Sequence, residues 1–248
     1  MGSTFVVSDV HGHLADFREL LVEAGLVDGG DRWVGGTSAL WILGDLVDRG
    51  PEGIGVIRFV RSLQQQAPEH VHVLMGNHES LMLGQKLFPG TRFTEVWAIN
   101  GGLASDQEAL TDDDVSWLRG LPLMALVGDQ LLMHSDTTEY LRWGDSIEEV
   151  NATVAATMAA DDAQAHFEVF AALTTRYDFL GPKGPEVARE VLSRLGGSRI
   201  VHGHSIIGSL IDVPSPQVDG PLLYADGLVV GIDGGRYDGG PLLLLRLA

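Results

Sequence analysis

The chain has 248 residues, 45% of them hydrophobic, with 32 glycines and no cysteine. Sixteen basic against 34 acidic side chains leave a formal charge of −18, which repels nucleic-acid backbones and anionic membranes and argues against either as a partner. The missing cysteine excludes a disulfide framework and thiolate chemistry, and the length suits one large α/β domain, at most with inserted lobes. The opening residues lack the basic start and apolar core of a secretory leader. No apolar run approaches the ~18 residues a membrane span needs, so a cytoplasmic protein is expected.

Thr4–Val7 reads as a short buried strand that runs straight into Ser8-Asp9-Val10-His11-Gly12-His13. Leu14, Phe17, Leu20 and Leu21 then recur at helical spacing, and Gly25 and Gly29-Gly30 end that segment. Ser38–Leu43 is the second strand, stopping at Gly44, with Asp45, Asp48 and Arg49 directly after it. Pro51 is placed as the first residue of the next helix, whose apolar side is Ile54, Ile57, Val60 and Leu63. Val71–Met75 is the third strand, leading into Gly76-Asn77-His78-Glu79. This βαβαβ opening implies parallel strands.

Gly44-Asp45-x-x-Asp48-Arg49-Gly50 on its own could be a solvated turn. Yet all three strands end in polar, metal-competent residues: Asp9 and His11, then Asp45 and Asp48, then Asn77 and His78. In a parallel sheet these ends share one edge, where open α/β folds bind ligands. Three unrelated turns have no reason to agree in this way.

Residues 80–120 read as helices and loops, with Thr111 capping a helix whose first turn holds Asp112, Asp113 and Asp114. Pro122–Val127 and Gln130–Met133 are strands around a Gly128-Asp129 hairpin turn, the second ending at His134. Residues 136–185 carry helices around 147–160 and 162–173, too short a stretch for its own core and so an inserted helical cap. A helix from Pro185 to Leu195, a strand at Arg199–Val201, His202-Gly203-His204 and strands over 222–230 and 241–247 complete the chain.

Asp9-x-His11, Gly44-Asp45-x-x-Asp48-Arg49-Gly50, Gly76-Asn77-His78-Glu79, the strand-end His134 and Gly203-His204, in that order, resemble the calcineurin-like metallophosphoesterase superfamily. The chain is most similar to its branch of phosphoprotein phosphatases, small phage and bacterial Ser/Thr phosphatases and symmetrical dinucleoside tetraphosphatases. Gly231-Ile232-Asp233-Gly234-Gly235 resembles the family's closing strand, so nearly the whole chain is covered. The resemblance implies a single domain over 1–248, a four-layer sandwich of two mixed β-sheets flanked by helices, with cap-like insertions near 80–120 and 136–185.

It also implies two divalent ions, manganese first and iron, zinc or nickel as alternatives, which Asp, His and Asn donors suit. One ion falls to Asp9, His11 and Asp45; the other to Asp45, Asn77, His134 and His204, with Asp45 shared. A bridging hydroxide would attack phosphorus in line. Arg49, Asn77 and a second arginine would bind phosphate, Arg176 being preferred to Arg142. His78 would protonate the leaving oxygen, oriented by Asp48.

Two departures bear on substrate. His134 is followed by Ser135-Asp136 where phosphoprotein phosphatases carry small residues, and Met75 stands where that branch often carries arginine. The expected activity is hydrolysis of phosphomonoesters of the phosphoserine or phosphothreonine kind, on a phosphoprotein or a small molecule. The alternative is symmetrical hydrolysis of dinucleoside tetraphosphates; a catalytically dead scaffold would lack ligands, and none is missing. His70, His72 and His166 fall outside the motifs as surface or sheet residues, His13 and His202 lie beside candidate ligands, and Trp97 and Trp117 read as core.

Overall fold

The computed structural model describes residues 2–247. β1 (Thr4–Val7) is followed by α1 (Leu14–Glu23), β2 (Ala39–Ile42), α2 (Gly53–Gln66) and β3 (Val71–Val73). β1, β2 and β3 pair in parallel, Val6 opposite Trp41 and Trp41 opposite His72. Four helices come next: α3 (Asn77–Leu87), α4 (Arg92–Ile99), α5 (Ala104–Ala109) and α6 (Asp112–Arg119). β4 (Met124–Val127) and β5 (Gln130–Met133) form the expected hairpin, with Val127 opposite Gln130. α7 (Ile147–Ala159), α8 (Ala163–Thr174) and α9 (Gly184–Leu195) lead to β6 (Arg199–His202) and the short α10 (Ile207–Ile211). β7 (Leu222–Tyr224), β8 (Val229–Gly231) and β9 (Leu244–Arg246) close the chain.

The strands make two mixed sheets, ordered β3-β2-β1-β9 and β4-β5-β6-β8-β7. Alternation along each strand decides which layer a side chain enters. Val6, Trp41, Leu132, Val201, Val230 and Leu245 meet between the sheets. Their neighbours Val7, Leu40, Ile42, Leu131, Ile200 and Val229 face outward, under a second apolar layer that includes Phe17, Ile57, Val150, Leu173 and Val191 from the helices. Each buried Leu, Ile or Phe contributes on the order of 1.5–3 kcal/mol. The fold is therefore the expected α/β arrangement of two mixed sheets between helices. Among the described residues no helix is long and apolar enough to cross a membrane.

Several sequence expectations are corrected. Helix α2 begins at Gly53 rather than Pro51, which lies in the turn before it. The stretch 222–230 is a hairpin, not one strand: Ala225, Asp226 and Gly227 all have positive φ (51°, 56° and 81°), the backbone a tight hairpin turn needs. The last strand covers only Leu244–Arg246 of 241–247. His166 is neither on the surface nor in a sheet; it is fully buried in α8, where its Nε2 lies 3.0 Å from the Ala160 carbonyl. Thr111 caps α6 as expected, its hydroxyl accepting from Asp114 N while the Asp114 carboxylate accepts from Thr111 N.

Candidate active site

Every parallel strand of both sheets ends in a residue of one cluster. Asp9 and His11 follow β1, Asp45 follows β2, Asn77 follows β3, His134 follows β5, His204 follows β6 and Asp233 follows β8. The loops carrying them interlock through main-chain bonds, Asp9 N to Gly44 O (3.1 Å), His11 N to Asp45 O (2.9 Å) and Gly203 N to His134 O (2.9 Å). Asp9, His11, Asp45, Asp48, Arg49 and His204 all adopt left-handed backbone, with φ between 44° and 67°. Each such residue costs on the order of 1–3 kcal/mol and persists only where its surroundings impose it. Gly203 is required sterically: a Cβ there would overlap Ser8 Oγ and Asp9 Oδ2.

Asp45 is at the centre. Its Oδ2 faces His11 Nε2 at 3.6 Å and His78 Nε2 at 3.9 Å, while its Oδ1 faces His134 Nε2 at 3.4 Å. Asp45, His134 and His204 present ligand atoms within 4.8 Å of one another, as do His11, Asp45 and His78. His11 Nδ1 donates to the Val47 carbonyl at 2.9 Å, His134 Nδ1 to Leu43 O at 2.7 Å and His204 Nε2 to Thr174 O at 3.1 Å. One ring nitrogen of each histidine is thereby committed, so the other turns a lone pair into the cluster, as a metal-ligating histidine does. His134 Nε2 meets the Asn77 amide oxygen at 2.9 Å, an acceptor against an acceptor.

The electrostatics point the same way. Burial and the negative charge of Asp9 push both Asp45 and Asp233 well above the usual carboxylate range. Burial holds His11 and His204 well below the ordinary imidazole value and His134 below it, which favours the neutral form that ligates a metal; it lowers His78 in the same direction. Crowded buried carboxylates, neutral imidazoles and facing acceptors form a donor set that lacks positive charge. Divalent cations fit it.

Beside the cluster, His78 Nδ1 donates to Asp48 Oδ2 at 2.8 Å, and the indole N–H of Trp97 donates to Asp48 Oδ1 at 3.1 Å. His78 Nε2 is buried and has no hydrogen-bond partner. Burial pushes Asp48 up to about 7, against the opposing pull of the Trp97 bond and the Arg49 charge. Arg49 places Nη1 3.0 Å from His11 Nε2, and its guanidinium lies 4.0 Å from the centre of the Tyr237 ring. Arg176 is half-buried in the turn after α8, and its charge lowers the proton affinity of His78, His134 and His204. Arg142 is exposed and paired with Glu139 at 2.6 Å.

Sequence reasoning missed four participants. Glu79 is fully buried, accepting Asp45 N (2.8 Å) and Gly76 N (2.8 Å) on Oε2 and Leu46 N (2.7 Å) on Oε1. Asp233 lies in the Gly231–Gly235 stretch, whose likeness to the family was noted without assigning it, and Tyr237 lies two residues beyond that stretch. Trp97 does pack in a core with Leu81, Phe93 and Phe170, as expected, and also pins Asp48. Of the histidines left open, His202 is buried between the Gly203 carbonyl (2.7 Å) and the Tyr224 hydroxyl (2.8 Å), and His13 lies 3.6 Å from Asp16 at the rim.

Comparison with known proteins agrees with this geometry. A symmetrical bis(5'-nucleosyl)-tetraphosphatase of Aromatoleum aromaticum is 33% identical over 132 residues, which is 53% of this chain and 43% of that protein. The chain thus spans under half the length of that relative. Shewanella-like protein phosphatase 2 of Arabidopsis thaliana is 37% identical over 76 residues, 29% of this chain and 19% of that one. Among solved structures, a cold-active protein tyrosine phosphatase superposes over 100% of this chain and 74% of its own, with a TM-score of 0.76 and 25% identity. A family model described as calcineurin-like phosphoesterase matches residues 3–208, and this chain belongs to the calcineurin-like phosphoesterase family.

Proposed function

We propose that the chain is a dinuclear metal-dependent phosphomonoesterase of the protein-phosphatase kind. The observation that carries this reading is the buried His78–Asp48 couple, with a free Nε2 aimed beside Asp45. A serine or threonine alkoxide is a poor leaving group and needs a proton, whereas a nucleoside phosphate departs without one. Superposition of the entire chain on a protein phosphatase supports the same choice.

Asp9, His11 and Asp45 would hold one ion, and Asp45, Asn77, His134 and His204 the other, with Asp45 shared because its two oxygens face different histidines. When bound, two such ions acidify a water for attack on phosphorus and neutralise the phosphate charge. Manganese is our first choice, ahead of iron, zinc or nickel. Arg49 and Arg176 bind the non-bridging phosphate oxygens, supplying local attraction that a surface of charge −18 does not. His78 donates to the leaving oxygen, and Asp48, fixed by Trp97, keeps its ring turned. We read 1–248 as one domain in which the helices of 80–120 and 136–185 wall the site.

The similarity of about half the chain to a symmetrical tetraphosphatase favours a second reading, hydrolysis of a dinucleoside tetraphosphate at the same centre. Turnover of a phosphoserine peptide and of diadenosine tetraphosphate should be compared after loading with each metal in turn. The phosphopeptide is expected to be the better substrate by kcat/KM. Preference for the dinucleotide by tenfold or more would replace the first reading with the second.

A further inference from the structure

Asp136, at the Ser135-Asp136 departure from the phosphoprotein-phosphatase pattern, is used by neither metal site nor proton transfer. Its side chain is fully buried three residues past β5, and an unpaired carboxylate there would be strongly unfavourable. It is not unpaired. Ser205 Oγ, three residues past β6, donates to its Oδ1 at 2.5 Å, and the Tyr177 N–H donates to its Oδ2 at 3.0 Å. The main chain repeats the link, Asp178 N to Asp136 O at 3.1 Å. The contact also runs in reverse: Asp178 Oδ2 accepts from Thr137 Oγ1 (3.0 Å), Thr138 N (2.7 Å) and Thr138 Oγ1 (2.9 Å).

The segment fastened in this way is the turn bearing Arg176. Tyr177 has φ 77°, left-handed backbone that a tyrosine rarely adopts. The chain therefore reverses immediately after Arg176, and the two amides beyond it are the ones Asp136 holds. On the amino side, Thr174 O is fixed by His204 Nε2. Arg176 itself makes no bond to the 134–138 segment, so its placement depends on that of its neighbours.

We propose that Asp136 is a positioning residue for the phosphate-binding arm: its buried carboxylate fastens the strained turn at Tyr177 to the ends of β5 and β6 and so holds Arg176 over the site. This rests on the reading above that Arg176 binds phosphate. Ser135-Asp136 then has a definite task, replacing small residues with an anchor for an arm carried by the chain after α8.

The test is a double-mutant cycle of Asp136→Ala and Arg176→Ala in the manganese-loaded protein, with p-nitrophenyl phosphate as substrate and inorganic phosphate as competitor. Metal content is measured on every variant. Each single change is expected to raise KM and the phosphate inhibition constant about tenfold, as loss of one charge-assisted contact does, with a smaller change in kcat and undiminished metal. The double variant should be no worse than Arg176→Ala. Asp136→Asn should remain close to the parent, because its carbonyl can accept from Tyr177 N–H and its amide can donate to Ser205 Oγ. Multiplying losses in the double variant, or metal lost from Asp136→Ala, would overturn the proposal. If Arg176→Ala alone changes neither constant, the phosphate-binding reading of Arg176 has failed first. Should Asp136→Ala not fold, Asp178→Ala cuts the other half of the clamp and must raise both constants alike; unchanged constants would refute the positioning role.

Discussion

Truncating Glu79 should unfold the site from beneath. Glu79→Ala removes the shared acceptor of three buried amides, those of Asp45, Leu46 and Gly76. Each orphaned buried donor costs about 1–3 kcal/mol. Against this, burial pushes Glu79 up to about 7 and its charge adds to that crowding Asp45, so its removal relieves some repulsion. A net loss of about 3–6 kcal/mol results, a large part of the 5–15 kcal/mol typical of a folded domain. Glu79→Gln keeps the volume and one accepting oxygen, so Oε2-like bonds to Asp45 and Gly76 survive while the amide meets Leu46 N–H donor to donor. That variant should lose about 1–3 kcal/mol. Urea unfolding followed by circular dichroism, in chelator and at fixed pH, gives both numbers, with the slope unchanged if only stability has moved. An alanine variant within 1 kcal/mol of the parent, or a glutamine variant as damaged as alanine, would refute the view that Glu79 supports the Asp45 loop by hydrogen bonding.

His78→Asn should retain metal and lose turnover by ~10²–10⁴-fold on phosphoserine but far less on p-nitrophenyl phosphate, whose leaving group needs no proton; equal losses in initial-rate assays would remove the general-acid role. Asp48→Asn takes away the carboxylate that favours protonated His78, so the alkaline limb of the kcat/KM profile should move to lower pH by about one unit or more; a stationary limb would contradict the pairing. Asp45→Asn should lose metal from both sites, and elemental analysis finding two equivalents retained would break the shared-ligand assignment. Gly203→Ala forces Asp9 aside and should weaken metal binding at least tenfold by competition with a chelator, the scale on which a disturbed ligand shell is felt; an unchanged affinity would show that the Ser8–Asp9 turn can yield.

The metal-type cluster was legible because its residues sit in the turns directly after strands, where short motifs such as Gly44-Asp45-x-x-Asp48-Arg49 keep local spacing. Long-range partners were not. Glu79 follows an Asn-His pair in sequence, but nothing local says that its carboxylate reaches the amides of Asp45 and Leu46, more than 30 residues away. Trp97 was read as core from its bulk, and its packing agrees; its bond to Asp48 depends on how α4 folds back over the β2 turn. In 222–230 the Asp226-Gly227 pair was a visible turn signal, masked by the apolar run on either side. His166 was misplaced because it shares its helix with the polar Gln164 and Glu168, and nothing local says which face is covered; Phe88, 5.1 Å away, covers it.

The left-handed backbone gathered at six site residues has a consequence for the lifetime of the protein. Strain and carboxylate repulsion are concentrated where both sheets meet, and bound ions offset them only while they remain. A metal-starved chain is therefore weakest at its own centre, and its earliest opening exposes the strand ends rather than the surface helices. Proteolytic clearance that follows the open population would then remove ion-free molecules ahead of loaded ones, making metal supply a control on abundance as well as on activity.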